Sequence, residues 1–406
     1  MEYLFWFLAG LVVLEGLLGV AEGKRYLAYI RRHLSRKHPD WTPSASVFLP
    51  CKGLDEGLVQ NVETLLGQDY PEYEVIIVTS RTDDEALPSL RDLVLRNPRQ
   101  AVRFVVAGTS EARGEKVNNL MEAVKRASPD SEIYVFTDSD CRPHRTWLRE
   151  LIAPLLEPSV GVSTGYRWYF PVVGNFASVM RSVWNASIAT LLGSHDRNFC
   201  WGGSMAIRRQ VFDAAGVLNY WRHSISDDYS LAAAVKAIGL RIHYEPRCLI
   251  GNYGDTRWRE LLEWSTRQIL ITRIYSRRLW QAACVSQFSF MIGWWWAVFR
   301  SIADIGRLIF KETTPSLFWV HVSLVGAVYL LGVIRGNYRL KAVTQIRADC
   351  RDAILRFAWA YRFLAPLVST LTAYTLLASI TTSRLEWRGV KYKLISPREV
   401  RVVRRT

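Results

Sequence analysis

Two carboxylates, Asp138 and Asp140, stand one residue apart in Val135-Phe-Thr-Asp-Ser-Asp-Cys-Arg-Pro143, directly after the apolar run Ile133 to Phe136. Four apolar residues bounded by a turn read as a buried strand. The C-terminal ends of such strands are where open α/β sheets hold ligands. Residues two apart on an extended chain face the same way, so the two carboxylates should converge. That arrangement suits Mg2+ or Mn2+ bridging to a diphosphate, because hard cations of this kind are held by one or two carboxylates plus substrate phosphates. Two further acidic pairs, Asp83-Asp84 and Asp227-Asp228, fall at other strand ends or helix starts. A carboxylate beside another in a partly dry cleft, as in the Asp227-Asp228 pair, can work as a general base.

These residues need a scaffold, and the middle of the chain supplies one. Strand-like runs at Ser46–Leu49, Tyr73–Thr79, Val102–Val106 and Glu132–Phe136 alternate with helical spacing at Leu58–Leu66, Ala86–Leu95 and Asn118–Arg126. Such alternation implies a parallel sheet with right-handed crossovers, a Rossmann-like α/β half. No G-x-G-x-x-G follows the first strand and no G-x-x-x-x-G-K-[ST] occurs, which argues against dinucleotide enzymes and P-loop NTPases. A less regular half follows, with a short strand at Val160–Thr164, a helix at Phe176–Leu192, a Gly-rich turn at Trp201–Arg208 and a last strand at Leu240–Tyr244.

The ends of the chain are different material. Half of the 406 residues are hydrophobic, 16 are Trp, and the net charge is +15. The basic residues flank apolar segments, as in Lys24-Arg25, Arg31-Arg32 and Arg398 to Arg405, which favours a membrane over nucleic acid. Tyr3–Val20 is long enough to span, and its basic cluster follows the apolar run, as in a retained anchor and unlike a cleaved signal. Glu15 inside it should point at another helix. Arg257–Trp280 interleaves aromatic and basic residues at helical spacing, as an interfacial helix does. Of the apolar stretches beyond it, Ser316–Ile334 and Phe357–Ile380 read as spans and Ala282–Phe299 as the weakest. With three spans there, the basic segments cannot all lie on one side, so one stretch should be re-entrant or interfacial. The six cysteines form no C-x-x-C pair. His195 reads as structural, and the sequon at Asn185 lies on a helix that would not present it.

The chain resembles the membrane-bound inverting glycosyltransferases of families 2 and 21, most closely ceramide glucosyltransferase and its bacterial relatives. The resemblance is carried by Pro50-Cys-Lys-Gly-Leu-Asp55, Asn61-Val-Glu-Thr64, Asp69-Tyr-Pro-Glu-Tyr-Glu-Val75, Thr82-Asp-Asp84 and Lys116-Val-Asn-Asn-Leu120. Asp138-Ser-Asp140, Gly202-Gly-Ser-Met205, Asp227-Asp-Tyr229 and Trp387-Arg-Gly-Val-Lys-Tyr392 add to it. It implies a GT-A fold and one sugar, glucose-like, transferred from a UDP-sugar to a lipid acceptor (ceramide, diacylglycerol or similar). It places Asp228 as the base, Asp140 on the metal, and Lys52, Asp84, Lys116 and Asp138 beside the donor. The family's closing (Q/R)xxRW motif falls on Trp264-Ser-Thr-Arg267-Gln268, which keeps the Arg but has Trp first and Gln last. Arg267 and Arg273 would then cover the diphosphate, while Gly203, Ser204, Asp227, Trp264 and Gln268 would lie toward the acceptor. The missing final Trp argues against the aromatic platform of a processive polysaccharide synthase; a degenerate membrane scaffold is the other alternative. The implied organisation is an anchor (1–22), a basic linker (23–44), a GT-A domain (45–256), interfacial helices (257–281), a transmembrane region (282–381) and a basic tail (382–406). The catalytic domain would face the cytoplasm of a bacterial inner membrane or an equivalent organellar membrane.

Overall fold

The computed structural model describes residues 2–194, 197–311 and 317–405. Helix α1 (Glu2–Leu34) opens the chain. The alternating half follows as β1 (Ala45–Pro50), α2 (Leu58–Leu66), β2 (Tyr73–Thr79), α3 (Ala86–Arg96), β3 (Ala101–Val106), α4 (Glu115–Val124) and β4 (Ile133–Thr137). Then come α5 (Trp147–Ile152), β5 (Val160–Phe170), α6 (Phe176–Ala189), β6 (Ser204–Arg208), α7 (Arg209–Ala214), α8 (Val217–Trp221), α9 (Asp227–Ala237) and β7 (Arg241–Tyr253). The remainder is α10 (Trp258–Tyr275), α11 (Arg277–Lys311), α12 (Phe318–Ile346), α13 (Arg351–Arg356), α14 (Ala358–Phe363), α15 (Ala365–Thr381), β8 (Arg384–Trp387), β9 (Val390–Ser396) and β10 (Glu399–Arg405). The chain divides into two units: residues 32–173, 192–255 and 382–406 form one, and 1–31, 174–191 and 256–381 the other.

The first unit is a seven-stranded sheet in the order β3-β2-β1-β4-β6-β5-β7. Strands β1, β2, β3 and β4 run parallel, whereas β6 is antiparallel to both β4 and β5. This is the mixed α/β sheet expected of the GT-A class. The central strands β1 and β4 are buried along their whole length, as continuous apolar runs in a sheet covered on both faces must be. Phe48, Val78, Phe136, Met205 and Trp221 meet in the core. Strands β5 and β7 pair over far more residues than their apolar runs suggest, from Val160–Arg241 to Phe170–Tyr253. Strand β7 carries Pro246, which an edge strand tolerates because its N–H side need not join the ladder. The basic tail is itself folded: β8, β9 and β10 form an antiparallel sheet.

The second unit is helical, and α1, α11 and α12 are long and apolar enough to cross a membrane. Helices α1 and α12 run in the same direction: Gly16, Gly19 and Gly23 receive Leu331, Arg335 and Tyr338 in turn. Helix α11 runs opposite to both, since Asp304 pairs with His321 at 2.7 Å while Trp294 packs with Val12 and Val328. Glu15 does point at a neighbour, facing Ser286 of α11.

The segment 357–380, expected to span, is broken instead. The chain turns at Leu364, before Ala365 and Pro366, into the 17-residue α15. Proline lacks the N–H that a continuing helix would need, and it fits the first turn of a new one. Helix α14 runs against α12, with Tyr361 on Gly336 and Ala365 near Gly332. Helix α15 runs against α11, with Thr370 on Met291 and Trp280 donating to Ser379 at 3.1 Å. Because α11 opposes α12, α14 and α15 point in opposite directions and return to the end they left. Conversely Ala282–Phe299, expected as the weakest span, lies within the 35-residue α11. Within the helical unit the C-terminal ends of α1 and α12, with their basic residues, therefore lie at the end to which the α14–α15 hairpin returns.

Candidate active site

The Asp138–Asp140 turn leaves the C-terminal end of β4 and is pinned from several directions. Thr137 Oγ1 donates to the Gly203 carbonyl at 3.0 Å, and Asn61 Nδ2 to the Ser139 carbonyl at 3.1 Å. Ser139 Oγ donates to Asp55 Oδ2 at 2.5 Å, and Asn252 Nδ2 to the Asp140 carbonyl at 3.1 Å. Held this way, the carboxylates of Asp138 and Asp140 and the Cys141 sulfur all lie within 4.8 Å of one another. Burial, together with Asp138 and Asp55, raises the Asp140 pKa; Arg167 and Arg388 oppose that rise. A carboxylate pair so crowded fits a hard divalent cation. Burial and then Asp140 push the Cys141 thiol well above its ordinary value.

Lys116, in the first turn of α4, is the cation at the centre. Its Nζ lies 2.7 Å from Asp138 and 2.9 Å from Asp227. Burial opposes its charge, but these two carboxylates outweigh burial and raise its pKa. Gly202 makes the approach possible: a Cβ there would stand 2.5 Å from Asp227 Oδ2 and 2.7 Å from Lys116 Nζ.

Asp227 and Asp228 open α9 behind the N-cap Ser226, whose side chain accepts from the Tyr229 N–H. The helix phase gives the two neighbours different fates. Asp227 turns inward, is 3% exposed, and has its pKa pushed up to about 6 by burial, with Lys116 opposing and Asp228 reinforcing. Asp228 remains half-buried; its Oδ1 accepts from Ser226 Oγ and, at 2.7 Å, from the Tyr229 N–H. Its Oδ2 has no hydrogen-bond partner among the described residues. Asp227 is therefore an internal counter-ion to Lys116, and Asp228 is the carboxylate with an oxygen to offer.

A second layer surrounds this centre. Asp84 Oδ1 accepts from the N–H groups of Gly53 and Ala86 at 2.9 and 3.0 Å, tying the loop after β1 to the start of α3. Lys52 Nζ lies 2.8 Å from Glu115, which also receives Ser80 Oγ and Arg405. Arg388, at the β8–β9 turn, donates to the Lys52 carbonyl at 2.7 Å and to Asp55 at 2.6 Å. Its φ of 46° is the left-handed value of a tight hairpin turn, followed by Gly389 at 76°. Tyr392 Oη accepts from the Glu115 N–H at 3.1 Å. Arg167 lies over the rings of Tyr169 and Trp201 at 5.2 and 5.6 Å.

The sheet unit thus gathers Lys52, Asp84, Lys116, Asp138, Asp140, Gly203, Asp227 and Asp228. Ser204, expected toward the acceptor, is fully buried and its hydroxyl accepts from Trp147 Nε1 at 2.9 Å, so it belongs to the core. The other four expected residues lie on α10 in the helical unit. Trp264 packs edge-on to Trp184 at 5.1 Å, Arg267 and Gln268 are partly buried one turn on, and Arg273 donates to the Ile380 carbonyl at 3.1 Å. His195 lies outside the described residues. Arg388, Tyr392, Glu115, Asp55 and Arg167 were not singled out from sequence. Arg388 and Tyr392 sit in the Trp387–Tyr392 motif and Asp55 closes the Pro50–Asp55 motif, so a signal existed for those three.

Paired carboxylates stand at the strand ends of a mixed α/β sheet, with the buried Lys116 between Asp138 and Asp227. The family model described as "Glycosyl transferase family 21" matches residues 11–400, and the chain belongs to that family of glycosyltransferases. The chain is 23% identical over 237 residues to ceramide glucosyltransferase 1 of Caenorhabditis elegans, covering 53% of this chain and 47% of that protein. It is 24% identical over 211 residues to the poly-beta-1,6-N-acetyl-D-glucosamine synthase of Staphylococcus epidermidis, covering 50% and 48%. These matches span about half the length of the relatives. Among solved structures, the mannosyltransferase PcManGT of Pyrobaculum calidifontis, in complex with GDP-Man and Mn2+, is 18% identical with a TM-score of 0.47, covering 92% of this chain and 98% of that one.

Proposed function

We propose that the protein transfers a single glucose-like sugar from a UDP-sugar to the hydroxyl of a membrane lipid, with inversion at the anomeric carbon. The observation that carries this reading is the division of roles between Asp227 and Asp228. One carboxylate is locked to Lys116 and the other, half-buried, keeps an oxygen for an acceptor hydroxyl. Asp228 takes the acceptor proton as the oxygen attacks opposite the leaving diphosphate, as a general base must within hydrogen-bond reach. Asp140, with Asp138 beside it, would hold Mg2+ or Mn2+. When bound, that cation neutralises charge on the departing diphosphate as a Lewis acid. Lys116 fixes Asp138, and Asp84 with Arg388 fixes the loop after β1 toward the nucleotide. On the family resemblance, Arg267 and Arg273 would supply positive charge for the diphosphate, and Trp264 and Gln268 would serve the acceptor. The acceptor is ceramide, diacylglycerol or a similar lipid, and the family resemblance to ceramide glucosyltransferase supports that choice.

Basic residues at the C-terminal ends of α1 and α12, among them Lys24, Arg31, Lys341 and Arg347, support a cytoplasmic position for that end. The test is to incubate membranes containing the protein with labelled nucleotide-sugars and separate the lipid products. Asp228→Asn should abolish transfer while UDP binding survives; loss of UDP binding instead would refute its role as base. The similarity to a polysaccharide synthase favours a second reading, and a polymeric product in the same assay would select it.

A further inference from the structure

Arg335 and Arg339 stand four residues apart on α12, one turn along the same face. Arg339 is only 8% exposed. Among the described residues neither side chain forms an ion pair, and the Nε of each has no hydrogen-bond partner. The acidic group facing Arg335 is Glu22 of α1, which is already bridged to Arg25. Arg25 in turn reaches the Thr190 carbonyl at the end of α6. The glycines of α1 make room for the longer side chain: a Cβ on Gly19 would lie 3.2 Å from Arg335 Cδ and 3.3 Å from one of its terminal nitrogens.

Two guanidinium groups this close, one of them buried, repel each other and are costly without an anion. A carboxylate could answer that need, but the one at hand is engaged. The planar fork of arginine matches phosphate oxygens in pairs. Basic pockets between membrane helices at the cytoplasmic end are suited to the phosphate of a lipid headgroup. Arg335 is only partly buried, so the pair is reachable from the surface along α1 and α12.

We propose that Arg335 and Arg339 form a phosphate-binding site on the helical unit, filled by the headgroup of an anionic phospholipid. The site is separate from the carboxylate cluster, and its existence does not depend on the sugar or the acceptor.

The test uses the full-length protein, purified in detergent and stripped of lipid, with thermal unfolding followed by Trp fluorescence. Mixed micelles containing phosphatidylglycerol should raise the midpoint by about 4 °C or more, the size expected when a ligand well above its Kd binds only the folded state. Phosphatidylcholine at the same mole fraction should not. Inorganic phosphate reproducing the shift without lipid would keep the site and assign it to a soluble phosphate. The double variant Arg335→Gln, Arg339→Gln should lose the response. If it does not fold, Gly19→Ala, whose methyl displaces the Arg335 stem, should weaken the response several-fold in lipid concentration. An equal shift with phosphatidylcholine, or variants that respond as the parent does, would overturn the proposal.

Discussion

Replacing Lys116 with Met keeps most of the side-chain volume and removes the charge that Asp138 and Asp227 share. Breaking a buried ion pair by deleting one partner costs about 3–5 kcal/mol, because the remaining charge has no solvent to retreat to. In a domain of about 150–250 residues each kcal/mol moves the melting midpoint by about 2–4 °C, so a fall of about 6–20 °C is expected at neutral pH. The direction with pH follows from Asp227. Its folded pKa is raised from 3.8 to about 6, so the folded state holds that proton more tightly than the unfolded chain. The stability linked to it is greatest below about pH 4 and declines as pH rises to about 6, by about 3 kcal/mol in all at about 1.4 kcal/mol per pH unit. Without Lys116 the Asp227 pKa rises further, so the variant should trail the parent much more at pH 8 than at pH 5. Thermal unfolding in detergent with chelator present, read by Trp fluorescence, measures both quantities; Trp147 and Trp221 are buried in the sheet unit. A deficit below about 1 kcal/mol, well short of the buried-pair range, or one of equal size at both pH values, would refute the reasoning.

Three shorter expectations accompany it. Arg388→Ala removes two hydrogen bonds from a charged donor, worth about 1.5–3 kcal/mol each, and should weaken UDP binding about tenfold by calorimetry, with Arg388→Lys restoring part of it. Gly202→Ala should cost about 1–3 kcal/mol by overpacking against Asp227 and Lys116, and an unchanged melting midpoint would mean that the turn relaxes freely. Chelation of divalent cations, or Asp140→Ala, should abolish donor-dependent transfer, with Mn2+ or Mg2+ restoring it only in the parent; full activity in chelator would remove the metal from the reading.

Much of the sheet unit was legible because buried parallel strands are unbroken apolar runs. Tyr73–Thr79 and Ile133–Thr137 needed only their composition and their bounding turns. The Asp138–Asp140 pair was legible by position, since it follows such a strand directly. Only the family resemblance separated Asp228 from Asp227, and it did not foresee that Asp227 turns inward to Lys116, because adjacent residues at a helix start differ only in which side of the helix they occupy. That phase is set by Ser226 and Trp221. Arg388 was hidden for another reason: its partner Asp55 lies 333 residues away, and no local pattern encodes such a contact. In the helical unit the error was one of averaging. Hydropathy over Phe357–Ile380 hid Pro366, while the polar Ser286 made α11 look weak although it serves Glu15.

The sheet formed by β8, β9 and β10 is made from the final residues of the chain, and it carries Arg388, Tyr392 and Arg405 to the loops around Lys52 and Glu115. Those loops are translated near the beginning. The loops around Lys52 and Glu115 therefore gain these supports only through long-range closure of the sheet unit, so loosening β8–β10 should be felt at Lys52 and Glu115 as well as in the tail.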